Sequence, residues 1–236
     1  MIGLVLAVTL AAASPAPTAA PTPYNMVQTP PPEPNHLTVE ATQSFLKTSG
    51  DGWQDAHGFA TQASLRYEFQ TTPSLRFANT LHWQRLSSTW NGTYPGGSFS
   101  TWFDLNQYDD EFDVELGRPD YPTGVGIGYY DYNPVYDGPN TYNLRGFGLG
   151  IDRWPNYYTP HSFYYSLWYY PSVRGGTPET GTYGILRVDA GVNFRFNLTQ
   201  PWNLRIGFSN DSWFARDAYA TDTGFTGPYI ALSYWR

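Results

Sequence analysis

Arg187 and Asp189 stand two residues apart, and Arg195 follows on the same parity with Gly191 and Asn193 between them. In an extended chain alternate side chains share a side, so these polar groups would lie together. The opposite parity reads Leu186, Val188, Ala190, Val192, Phe194 and Phe196 without a polar interruption. The same segregation places Glu40, Arg66, Glu68, Arg76, His82, Glu111, Asp113, Glu115, Asp152 and Arg205 on the polar side of their own segments. Charges of both signs confined to one side can pair guanidinium to carboxylate away from bulk water. Two kinds of chemistry fit: a structural salt-bridge plug, or the charged lining of a narrow selective pore.

Catalytic arrangements are sparser. Of the four histidines, His36 borders a proline-rich stretch, His161 adjoins a turn, and His82 lies within an alternating segment. A nucleophile–histidine–acid arrangement needs a carboxylate to orient the base and a reachable nucleophile. His57, with Asp51 and Asp55 in an expected outer loop, comes nearest, and a solvated loop histidine is the simpler expectation. The run Tyr108-Asp109-Asp110-Glu111 offers oxygen donors for a hard cation but lacks the spacing of a calcium loop, so a solvated acidic bulge is expected. The chain has no cysteine, which excludes disulfides and thiolate ligands. No catalytic residue, metal site or cofactor is assigned, and a non-enzymatic protein is expected.

The elements that would hold these charges are strands. Leucine, valine, isoleucine and aromatic residues alternate with polar ones over Leu37–Phe45, Phe59–Phe69, Leu75 to about Trp90, Val125–Tyr132, Leu144–Arg153, Phe163–Tyr170, Tyr183–Phe196, Trp202 to about Trp213 and Gly227–Arg236. On the apolar side of the last two fall Leu204, Ile206, Phe208, Ile230, Leu232 and Tyr234. Between Phe99 and Leu116 the apolar parity changes, which predicts one long strand with a bulge near Asn106–Asp110. Glycines 126, 128, 146, 148 and 150 stack on the polar side of the fifth and sixth segments. Ten strands result, with eight or twelve as alternatives. Segments of about ten residues, apolar outward and polar inward, match the tilted strand that crosses a bilayer in a closed barrel.

Composition agrees. Aromatic residues make up 18% of the chain and charged residues only 14%, a balance suited to aromatic girdles at a membrane interface. The net charge of −7 argues against a nucleic-acid partner. Residues 1–13 hold an apolar run followed by small residues and read as a signal peptide, though no Lys or Arg precedes the run. Residues 14–35 are rich in Pro, Ala and Thr and read as a disordered linker. The barrel would then occupy residues 36–236. Links around Gly50, Tyr94, Asp137, Gly176 and Ala218 are expected to be long outer loops. Links near residues 70–74, 118–123, 154–160 and 197–201 are expected to be short periplasmic turns. Trp53, Trp90, Tyr94, Tyr132, Tyr136, Tyr142, Trp213, Phe214 and Tyr219 would line or border the outer loops.

The last ten residues put Pro228, Ile230, Leu232 and Tyr234 at every second position, followed by Trp235 and Arg236. This resembles the C-terminal strand of bacterial outer-membrane β-barrel proteins, an alternating apolar series that normally closes on an aromatic residue. The resemblance implies an all-β fold, a closed antiparallel up-and-down transmembrane barrel. It also implies lipid and lipopolysaccharide as surroundings and the barrel assembly machinery as a partner. It assigns no activity, and a surface ligand stays unidentified. The expected role is structural or surface interaction, or a narrow channel. Two other readings stand beside it: a secreted β-sandwich that binds carbohydrate through exposed aromatics, and an outer-membrane barrel hydrolase.

Overall fold

The computed structural model describes residues 35–50, 53–72, 74–94, 96–116, 123–134, 144–175, 181–197, 199–218, 220 and 222–236. The expected signal peptide and nearly all of the expected linker lie outside the described residues, as do Asp51, Tyr136, Tyr142 and Tyr219. Ten strands run in chain order: β1 Asn35–Gly50, β2 Trp53–Thr72, β3 Leu75–Tyr94, β4 Gly97–Leu116, β5 Thr123–Pro134, β6 Leu144–Arg153, β7 His161–Arg174, β8 Thr182–Arg195, β9 Trp202–Ala215 and β10 Thr223–Trp235. Each pairs antiparallel with its sequence neighbour, and β1 closes on β10 from Thr38↔Trp235 to Gly50↔Thr223.

Closure turns period two into an inside and an outside. Outward positions carry Val39, Leu65, Leu81, Phe112, Ile127, Leu149, Leu167, Phe194, Ile206, Phe208, Ile230 and Leu232, all well exposed. Leu186, Val188, Val192, Leu204 and Tyr234 share that side, and Phe196 follows just past the end of β8. A belt of this kind is stable only against lipid.

Inside, the filling changes with height. The half nearest the chain termini is polar. Toward the loop end lies a buried apolar storey that includes Leu46, Leu86, Tyr130, Leu144, Trp168, Tyr170, Val173, Ile185, Trp213 and Phe225, with Thr48 and Ser88 hydrogen-bonded to each other beside it at 3.2 Å. Trp213, expected beside an outer loop, is therefore inside, while Phe214 faces out. Val173 joins the interior because β7 slips register against β8 between Tyr170 and Val173.

Three expectations are corrected. No bulge interrupts β4, which pairs with β3 without a slip from Leu75↔Leu116 to Tyr94↔Gly97. The apolar parity changes because the surroundings change: low on the wall lipid lies outside and charge inside, whereas higher up the inner neighbours are Leu86 and Tyr130. Nor are there long loops at Gly50 and Tyr94. Only residues 51–52 and 95–96 separate the strands there, and Gly97 takes φ +145°, a conformation that suits glycine in a tight turn. β1 to β4 instead run on for 16, 20, 20 and 20 residues. His57 consequently sits in β2 opposite Lys47 and Thr89, not in a loop. The side chains of Trp53, Asp55, Trp90, Tyr94 and Tyr132 lie outside the described residues.

The glycines of β5 and β6 make room for aromatic neighbours. A Cβ at Gly150 would meet Trp168 at 2.2 Å, and one at Gly148 would meet Tyr170 at 2.5 Å. Gly150→Ala is expected to destabilise the barrel by about 1–3 kcal/mol, the usual range for overpacking, read as a lower urea midpoint for the folded form in detergent.

Candidate functional site in the barrel interior

The interior is built on arginines. Lowest stands Arg66 of β2, 1% exposed. Its Nε donates to Glu68 at 2.8 Å, and Nη1 donates to Thr80 at 2.9 Å, Asp113 at 3.2 Å and Asp152 at 3.5 Å, while Nη2 donates to Glu115. Four carboxylates thus converge on one guanidinium. They come from β2, β4 and β6, whose inward parity puts acids two residues apart at Asp113 and Glu115. Arg76 approaches Glu68 at 3.7 Å. Trp154, from the β6–β7 turn, folds under this group. Its ring lies 4.1 Å from the Arg66 Cζ, and its Nε1 donates to Asp152 at 2.5 Å.

Beside it, Arg205 of β9 holds Glu40 of β1 through Nη1 at 2.8 and 3.0 Å. The guanidinium stacks 3.9 Å over Tyr164 and donates at 3.3 Å to Tyr229, whose hydroxyl is hydrogen-bonded to that of Tyr164. Above lies the third group. Arg187 donates to Asp109 and stands 3.6 Å from Glu111, which in turn pairs with His82 Nε2 at 3.1 Å. The other ring nitrogen, Nδ1, is 2.8 Å from Ser64 Oγ and 2.9 Å from Gln62 Nε2.

The structure brings together nearly every charge the alternation places inward, with one exception. Arg195 shares the inner parity but sits at the lower rim, where it donates to the carbonyls of Tyr157 and Gln200 (3.2 Å) and not to a carboxylate. The acidic run at 109–111 is no solvated bulge. Asp109 and Glu111 are buried inside, while Asp110 faces out. Alternation missed Asp109 and Asp211, although both share parity with charged neighbours. Trp154 could not be read at all, because turns have no parity.

The Ser64–His82–Glu111 chain has the order of a hydrolytic triad, which the histidine survey did not find. Ser64 is 6% exposed, and the adjoining cavity of about 70 Å³ is lined by His82, Glu111, Arg187, Asp189, Arg205 and Asp211 among others. That space has room for a few waters. Below, the lower mouth is closed by Trp154–Tyr158, with Tyr157 stacked on Trp235 at 5.3 Å. Burial pushes the Tyr157 phenol above its ordinary pKa, so it stays protonated. Among the described residues no three His, Asp or Glu side chains are placed to hold a metal.

A closed antiparallel barrel with a lipid-facing apolar belt and an ionic interior defines the class: an integral β-barrel of the bacterial outer membrane. No protein-family model and no curated protein matches the sequence. Among solved structures, the β domain of the Bordetella autotransporter BrkA is 11% identical, covering 86% of this chain and 99% of its own at TM-score 0.43. An outer membrane channel from Pseudomonas putida F1 is 12% identical, covering 89% and 98% at TM-score 0.41. Ail of Yersinia pestis, solved with a heparin analogue, is 10% identical, covering 86% and 100% at TM-score 0.38. The ring closure and the belt, not these likenesses, define the class.

Removing Arg66 would strand four carboxylates. Arg66→Met is expected to cost about 3–5 kcal/mol, the range for breaking a buried ion pair from one side. The check is loss of the heat-modifiable folded band on gels. Arg66→Lys, which keeps the charge but not the fork, should fall between.

Proposed function

We propose that the chain is a non-conducting, non-catalytic barrel that works as a membrane scaffold and presents its outer end to surface partners. The observation that carries this reading is the layered interior: paired charges and Trp154 below, and a buried apolar storey above. Water does not wet such a storey readily, and the charges beneath it are already bound to one another. The Ser64–His82–Glu111 chain then serves to satisfy buried polar groups. Lipopolysaccharide would meet the outer rim, and the assembly machinery would read β10.

In planar bilayers the folded protein is expected to show no unitary current above the bare membrane. Trp154→Ala should stay silent, because the apolar storey still blocks the path. Regular conductance steps from the unaltered protein would overturn the plug, and Ser64-dependent turnover of an ester or peptide would overturn the non-catalytic reading.

A further inference from the structure

The lipid-facing belt carries polar couples, Gln43 with Thr61 and, on another face, one that includes an ionisable group. Asn79 of β3 donates through Nδ2 to Asp110 Oδ1 of β4 at 2.6 Å, and to the Glu111 carbonyl at 3.2 Å. Asp110 is exposed on the outer side, between Tyr108 and Phe112, which are 47% and 41% exposed. Asn79 lies four residues above Leu75, the first of β3, and Asp110 six above Leu116, the last of β4. A tilted strand gains about 2.5 Å of height per residue across a belt of about 25 Å, so the couple sits roughly 10–15 Å in, near the middle. Other outward charges near this face, Arg85 with Asp104 and Arg145 with Asp131, lie toward the outer edge and are paired. Ionisable side chains at mid-depth persist where a partner meets them.

The same face supplies what the couple lacks. Asp110 Oδ2 accepts no hydrogen bond among the described residues, whereas Tyr67, Trp83 and Tyr108 present exposed donors close by. The surface relief is complementary as well. On one side of the couple Phe69 of β2 stacks on Phe77 of β3 at 5.2 Å and forms a ridge. On the other side a groove of about 500 Å³ is lined by Phe112, Val125, Ile127 and Leu149 over the glycine-thinned wall.

We propose that this face pairs with the same face of a second copy of the chain inside the membrane, about a twofold axis along the membrane normal near Leu81 and Asp110. A twofold of that direction sets each ridge opposite the partner's groove at equal depth, as an isologous interface requires. It also brings each Asp110 to the partner copy's hydroxyl and indole donors. The pairing does not depend on whether the lumen conducts.

The chain has no cysteine, so single introduced cysteines report contacts cleanly. In native outer membranes treated with a mild oxidant, Leu81→Cys should yield a disulfide-linked dimer. Ile206→Cys, in β9 on the far wall, should stay monomeric. Adding Asp110→Leu to Leu81→Cys should lower the dimer at least fivefold, while the heat-modifiable band shows that the barrel still folds. Equal cross-linking at both sites, an unchanged dimer with Asp110→Leu, monomer only, or capture of a different protein at Leu81→Cys would each overturn the proposal.

Discussion

Everything in this molecule follows from the closing of β1 on β10. Inside a bilayer no water is available to satisfy an unpaired peptide group, so a sheet can span only if it has no edge. Once the ring is shut, each side chain has one of two addresses, lipid or lumen. At this circumference the lumen is wider than aliphatic side chains alone would fill. The chain fills it with arginines below and aromatics above. Both kinds of side chain reach across the ring, and both make demands on the opposite wall: carboxylates for the first, bare glycine backbone for the second.

Those demands explain why the interior is asymmetric around the ring as well as along it. The wall from β1 to β4 supplies most of the acids and hydroxyls. The β5–β6 wall supplies glycines, against which Trp168 and Tyr170 of β7 lie flat. Arg66 reaches across to Asp152 on β6, tying the two walls together. Four carboxyl groups crowd around one guanidinium in a dry place, which must be held on every side. The hydroxyl of Thr80 and the ring of Trp154 beside Arg66 show polar and cation–π contacts sharing the task with ion pairs.

Much of this was legible in the sequence because lipid imposes period two strictly. The strands and the side each residue takes follow from parity, as the run from Leu186 to Phe196 illustrates, and closure follows from the likeness of the last strand to those of outer-membrane barrels. What parity could not reveal has a physical cause in each case. Above the lipid the outside is no longer apolar, so the signal that marks a wall fades. The upper parts of β1 to β4 were therefore read as loops, and the change at residues 106–110 as a bulge. Trp154 and Arg195 belong to the lower mouth, where the contacts that matter run to turn backbone. His82 was visible as an inward residue, but its bonds to Ser64 and Glu111 join three strands whose register no local pattern encodes.

The unequal strands have a consequence for what the outside world can touch. With 20 residues in each of β2, β3 and β4 against 10 in β6, the described wall on one side rises roughly 25 Å higher, at about 2.5 Å of height per residue. On that side the described edge is regular sheet, paired from β3 to β4 up to Tyr94↔Gly97. There the height comes from backbone pairing itself, which spaces the strands at the fixed interval of a sheet.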